Sequence, residues 1–443
     1  MQVQATYKNI WSLAFPIITG ALAQTVLGVT DTAFLGRVGE TELAASAIGG
    51  VFYFTLIMIG MAVSIGAQII IARKAGENDL NGISHVFKQS FLVLGAVGLL
   101  MFFIAHFLAP VLFPYIIHDT KVTEAATSYV ICRSYGLLLW IPLLSVRAFL
   151  VGISNTKLIS IQAIIMCAIN VVLGYIFIFG HYGFPAMGIS GAAYASAISE
   201  VLASLYALSI IRFHKNYKSY LLFDNIQANK ATINTILRLS APIVLQNFLT
   251  MGAWFVFFVM IEKLSTHALA ISNVIRATYM IMMTPAWGFS SAANSMTSNL
   301  IGQGKADEIF LLLRKIITMS TTIITAFIFV MALFPHHILN VITNDQQLIE
   351  DCIPTYYIIC VATVVLSIGL NFLSAVSGTG ATRTAMYIEM TNIFCYLVFV
   401  YATCFIFKTR VEIVWLSEIL YWTMMGVLSL LYLKTNKWKN IKI

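Results

Sequence analysis

Twelve apolar runs, each long enough to cross a bilayer as a helix, set the limits on what this chain can become. They lie at roughly 10–35, 46–72, 89–114, 126–151, 158–180 and 187–211, then at 239–261, 268–300, 316–335, 353–376, 384–407 and 412–433. In hydrocarbon every backbone N–H and C=O must be paired within the protein, so such runs fold as packed helices. Only 10% of the 443 residues are charged, where soluble domains carry roughly 25%. The expected fold class is therefore an all-α polytopic membrane protein with twelve transmembrane helices. The first run is too long for a signal-peptide core and lacks a small-residue cleavage pattern, so it reads as a permanent span. Proline and glycine interrupt several runs, as where helices bend around a cavity.

The basic residues orient the chain. Eighteen fall on one side, Lys442 among them, and five on the other (Arg37, Lys121, Lys263, Lys408 and Arg410), while Arg133, Arg147 and Arg276 fall inside spans. That bias predicts cytoplasmic termini in a cytoplasmic-membrane protein. The expected organisation is a six-helix lobe over 1–211, a cytoplasmic linker over 212–238, a second lobe over 239–433 and a basic tail over 434–443. The net charge of +8 then reports topology and no nucleic-acid partner. The linker reads as a solvated loop near anionic lipid. The six cysteines lie in or beside apolar runs without a CxxC and read as packing residues.

The halves repeat at an offset of 226 residues. Pro16 meets Pro242, Leu43-Ala44-Ala45-Ser46 meets Leu269-Ala270-Ile271-Ser272, Ser64 meets Ser290, Gly76 meets Gly302, Gly152 meets Gly378, and Thr156-Lys157 meets Thr382-Arg383. Six spans per half give both lobes one orientation, hence parallel repeats and alternating access about a cavity between them. The offset carries Asp31 onto Phe257, so the coupling chemistry is expected in the first lobe.

Asp31 is the decisive side chain. Helical spacing puts Gln24, Gly28 and Asp31 on one face of the first span. A carboxylate in hydrocarbon costs several kcal/mol and faces a bundle interior or water-filled cavity. It either binds a cation or proton, or serves as a buried hydrogen-bonding group.

Several segments together resemble the multidrug and toxin extrusion (MATE) family of cation-coupled antiporters: VTDTAFLGRVG, IGMAVSIGAQIIIARKAGEND with WGFSSAANSMTSNLIGQGK, RAFLVGISNTK with SAVSGTGATRT, and NVVLGYIFIFGHYGFPAMGISGAAYAS. The resemblance spans nearly the whole chain. It implies a two-lobe transporter that exports amphipathic organic cations or metabolites in exchange for H⁺ or Na⁺, with no cofactor beyond that ion. By position, Asp31 resembles the family's first-span aspartate, Asn170 its fifth-span asparagine and Ser196 a sixth-span threonine. Asp31 and Asn170 would be the metal ligands if the ion is Na⁺. Gly174 stands where one branch has a second aspartate. Thr250 stands where the NorM-like branch has a glutamate, and the tenth span has no acid, so the pattern is closer to the DinF-like branch.

Other residues carry two readings. Glu200, one turn beyond Ser196, either completes a site with Asp31, Asn170 and Ser196 or is hydrated near the cytoplasmic end of its span. Glu389 and Glu418 either form a second relay or attract a cationic substrate, or are structurally paired. Arg133 is expected at the outer interface, Arg147 snorkelling, and Arg276 bonded to a carboxylate or carbonyl. Gln24, Gly28, Asn247, Asn273, Met280 and Asn371 are the residues expected to line a substrate cavity, although most intramembrane amides tie helices together. No Walker A loop, HExxH, GxSxG or acid–histidine cluster is present, so no enzyme is expected. The partners would be a small organic cation and membrane lipid, for a monomer. A lipid-linked saccharide flippase, a membrane enzyme and a channel are the rival readings.

Overall fold

The computed structural model describes residues 2–441 and 443; Met1 and Lys442, one of the basic residues used to orient the chain, lie outside the described residues. Twelve long helices carry the described chain. The first six are α1 (Tyr7–Val38), α2 (Glu40–Gly76), α3 (Leu80–Phe103), α4 (Thr120–Gly152), α5 (Lys157–Phe179) and α6 (Gly188–Phe213). The second six are α7 (Lys230–Glu262), α8 (Thr266–Gly302), α9 (Ile309–Leu333), α10 (Gln346–Gly378), α11 (Thr382–Tyr401) and α12 (Val411–Lys434). Eleven are long and apolar enough to cross a membrane. α8 falls short in composition alone, because its second half, Ser290–Asn299, is rich in serine, threonine and asparagine. From Ala292 to Asn299 these residues are buried, where small side chains permit close approach of helices.

The repeat is visible in the helix ends. Asp119 caps α4 by accepting from Lys121 N (2.8 Å) and Val122 N (3.1 Å). Asp345, at the equivalent place, caps α10 by accepting from Gln347 N (3.0 Å) and Leu348 N (3.2 Å). A side-chain oxygen there satisfies N–H groups that the first turn leaves unpaired. α3 runs through a π-helical turn, Ile104–Leu108, just before Pro110, and continues as Ala109–Ile116. The missing proline N–H accounts for the widened turn.

The chain forms two units, Pro16–Ser240 and Met1–Phe15 with Ala241–Ile443. Each boundary falls inside a first helix, α1 or α7, not in the loop before it. In the unit that includes Ala241–Ile443, Val3 N donates to Asn299 Oδ1 (3.1 Å), Gln303 Nε2 to Val3 O (2.9 Å) and Lys315 Nζ to Ala5 O (2.7 Å). In the Pro16–Ser240 unit the basic residues of the linker, Arg212, Lys215, Lys218, Lys230 and Arg238, are exposed as expected, while its aromatic and amide residues pack. Gln89 Nε2 donates to Gln227 O (2.7 Å), Gln89 Oε1 accepts from Asn229 N (2.8 Å), and Tyr217, Tyr220 and Leu222 are buried. Aromatic residues in the linker meet Phe87 and Phe149 and supply the apolar area that pins it.

Gly378 ends α10 where a Cβ would run into the Asn294 backbone carbonyl of α8. Gly378→Ala is therefore expected to destabilise the protein by about 1–3 kcal/mol, since backbone cannot swing aside as a side chain can. Thermal unfolding of the purified variant in detergent checks this, and an unchanged midpoint would show that α8 and α10 separate freely.

Candidate functional site

In the Pro16–Ser240 unit three helices bring together the polar residues singled out by the first span. Asn170 Nδ2 on α5 donates to Ser196 Oγ on α6 (3.0 Å), and Ser196 Oγ donates to Asp31 Oδ2 on α1 (3.2 Å). Asn170 and Ser196 are buried and Asp31 is half-buried. This chain leaves two oxygens over. Asp31 Oδ1 and Asn170 Oδ1 are both buried without a hydrogen-bond partner. An ionised carboxyl oxygen and an amide oxygen, held by one hydroxyl between them, suit a proton or a small hard cation.

Glu200 is not free for that site. Its Oε1 accepts from Arg133 Nη2 at 3.0 Å and its Oε2 from Tyr53 Oη at 2.8 Å. Arg133 also donates to Tyr129 Oη at 2.5 Å, and its guanidinium lies 4.2 Å from the Tyr53 ring centre. Arg133, expected at the outer interface, is instead an internal cation: it enters α4 more than three turns from the helix start and finds its anion on α6. Glu200, for which hydration near a membrane face was the alternative, is buried. Arg133 and Glu200 both lie close enough to act electrostatically on Asp31. With Arg133 balancing Glu200, one negative charge, that of Asp31, is left over in this cluster.

The remaining residues scatter. Asn371 is buried, not on an open face: its Nδ2 donates to Ser320 Oγ (3.0 Å) and ties α10 to α9. Asn273 is exposed and its Nδ2 donates to Leu269 O (3.1 Å), while Arg276 Nη2 reaches the Asn273 side-chain Oδ1 at 3.5 Å. Gln24, Gly28 and Met280 are exposed and Asn247 is half-buried. All six cysteines are free thiols.

The unit that includes Ala241–Ile443 has its own buried acids. Glu418 on α12 accepts from Tyr279 Oη (3.0 Å), Trp422 Nε1 (3.2 Å) and Tyr396 Oη (3.4 Å). Glu389 on α11 accepts from Thr250 Oγ1 (2.8 Å) and from Tyr421 Oη. Phe257, the counterpart of Asp31, packs in an aromatic core with Trp415 (5.2 Å between ring centres) and Tyr396 (5.8 Å), which leaves no opening for a carboxylate.

With this geometry in place, the comparisons with known proteins decide the family. The MatE family model matches residues 16–176 and 242–406, one match in each half. The chain belongs to the MatE family. Its members are transporters and not enzymes. A probable multidrug resistance protein NorM from Thermotoga maritima is 24% identical over 99% of this MatE chain and 94% of its own length. A NorM of the same description from Pasteurella multocida is 23% identical over 68% of the chain, which spans 65% of that relative. Among solved structures, a MOP superfamily transporter from Pyrococcus furiosus superposes with a TM-score of 0.90 at 19% identity, covering 98% of this chain and 96% of that one. A Vibrio cholerae MATE transporter gives 0.88 at 16% identity, covering 97% and 96%. These place the MatE fold on the chain from end to end.

Residue spacing missed the role of Arg133 and Tyr53. Each sits within an apolar run, and only helix packing shows that they converge on Glu200. The one available signal was an arginine inside a span, which must find an anion or reach water.

Proposed function

We propose that this MatE transporter is a cation-coupled antiporter that exports small amphipathic organic cations across the cytoplasmic membrane by alternating access. Asp31 is its coupling carboxylate, both termini are cytoplasmic, and the cation-site pattern is closer to the DinF-like than to the NorM-like branch. The observation that carries the reading is the pair of buried oxygens without partners, Asp31 Oδ1 and Asn170 Oδ1, linked through Ser196. A proton needs a single acceptor, whereas Na⁺ gathers several oxygens, so two spare oxygens favour Na⁺ as the coupling ion. One monovalent cation neutralises the cluster, because Glu200 is already balanced by Arg133. Occupancy of that site shifts the balance between two conformations, and the bound substrate answers to the same shift.

The test uses everted membrane vesicles carrying the wild type or Asp31→Asn. Uptake of a fluorescent organic cation, and release of a preformed pH gradient on adding it, are followed with and without Na⁺. The wild type is expected to transport with Na⁺ and Asp31→Asn to be silent. Equal behaviour of both across a panel of cations would overturn the reading and favour a lipid-linked saccharide flippase.

A further inference from the structure

The two halves of the repeat differ at the crossing of their first and fifth long helices. In the Pro16–Ser240 unit a Cβ on Gly20 of α1 would meet the Ala163 methyl of α5 at 3.5 Å, so small apolar groups make the contact. The 226-residue offset carries Gly20 onto Gln246 of α7 and Ala163 onto Glu389 of α11, and the Gln246 amide lies beside the Glu389 carboxyl group. Two such helices can therefore cross here without an acid, and packing alone gives no reason for one. The Asp31–Asn170 pair shows the opposite exchange, because the same offset carries it onto Phe257 and Tyr396, stacked in an aromatic core. The second unit thus lacks an acid at that level. It carries one seven residues earlier on α11, about two helical turns nearer the end at which the helix begins.

Glu389 is 2% exposed and is held by one oxygen only. Its Oε1 accepts from Thr250 Oγ1 at 2.8 Å and from Tyr421 Oη, whereas its Oε2 is buried with no hydrogen-bond partner. Glu418 differs, since both of its oxygens are bonded. Among the described residues no lysine, arginine or histidine pairs with Glu389. The titratable groups on its side of α12 are Tyr421 and, acting on Tyr421, Glu418; Tyr396 of α11 packs against the Tyr421 ring. α7 presents the neutral Thr250 and Gln246, and no charged group of α7 or α10 acts on it. One turn along the same face of α11, Asn392 is fully buried with both amide atoms bare. A carboxylate buried among neutral donors is costly, and a bare oxygen on it adds to that cost. A metal ion would need several oxygens turned towards it, but Thr250 and Tyr421 meet this acid as donors. A proton needs only Oε2.

We propose that Glu389 is a second cation site of the transporter, specific for a proton, which binds at the free Oε2 and leaves it again in the course of transport. Only the O–H bond forms and breaks. Thr250 and Tyr421 donate to Oε1 whether or not Oε2 carries the proton, so the carboxyl group keeps its place throughout. Transport then answers to two ions at separate places, a hard metal cation at Asp31 and a proton at Glu389. The part played in transport rests on the antiporter reading; the exchange of a proton at Glu389 does not.

Infrared difference spectra of the purified full-length protein in detergent, wild type against Glu389→Gln across a pH series, test the site without transport. The wild type is expected to show the carbonyl stretch of a protonated carboxyl group that the variant lacks, and this band to give way to carboxylate bands as pH rises. Tyr421→Phe keeps the acid and removes one donor to its ionised form, so half-conversion is expected at a pH higher by about one unit. It decides the matter if Glu389→Gln fails to fold. In everted vesicles at saturating Na⁺, uptake of a fluorescent organic cation is expected to vary with pH in the wild type and to lose that dependence in Glu389→Gln. Carboxylate bands alone, a protonated band that never converts, or an unchanged pH profile of uptake overturns the proposal. If Asp31→Asn stops uptake while Glu389→Gln alters neither spectrum nor pH profile, the proton site is wrong and the antiporter reading stands. If the spectra change as expected but the wild type moves no organic cation, the antiporter reading fails and the proton-binding group remains.

Discussion

Arg133→Met should cost about 3–5 kcal/mol of stability, the largest effect expected of any single substitution here, because it strands Glu200 as a buried charge. The pair is tight and shielded: Nη2 to Oε1 is 3.0 Å, with side chains 15% and 8% exposed. Solvent screening therefore does little to soften the loss. The comparison that proves the cause is the double variant Arg133→Met with Glu200→Gln. The amide removes the charge and still offers an acceptor to Tyr53, whose hydroxyl donates to that position at 2.8 Å. Most of the lost stability should return in the double variant, as when buried ion pairs elsewhere are replaced whole. Thermal unfolding in detergent, followed by fluorescence, gives both numbers. A single variant as stable as the wild type would show that water reaches Glu200.

Asn170→Ala is expected to raise the Na⁺ concentration needed for half-maximal transport by about tenfold or more, a typical loss when a group supporting a metal site is removed. Asn170 contributes twice: Nδ2 holds Ser196 in place at 3.0 Å, and Oδ1 is one of the two spare oxygens. Ser196→Ala removes the hydroxyl that reaches Asp31 at 3.2 Å and should shift the same dependence by a smaller factor. Both variants keep Asp31, so maximal transport at saturating Na⁺ should survive. Vesicle uptake measured across a Na⁺ series separates the outcomes. If transport runs on a pH gradient alone and neither variant shifts it, the coupling ion is H⁺ and the spare oxygens are incidental.

The order of helices, their number and the duplication were all legible in the residues. Apolar run length and the 226-residue offset are local or additive properties, which need no knowledge of packing. Asp31 was legible for the same reason: a carboxyl group in a membrane helix is conspicuous before any partner is known. Helical periodicity even put Glu200 one turn from Ser196, which is true along α6 and still insufficient.

What only the tertiary structure decided is which charges neutralise one another. Glu200 looked available until α4 delivered Arg133 to it, across 67 residues of sequence. Glu418 lies on the corresponding last helix of its unit and receives three neutral donors without a cation. Pairing of this kind depends on where helices far apart in the chain come to lie side by side. Sequence alone therefore identified a membrane carrier with one conspicuous acid, and packing determined which acids have a cation beside them and which have only neutral donors.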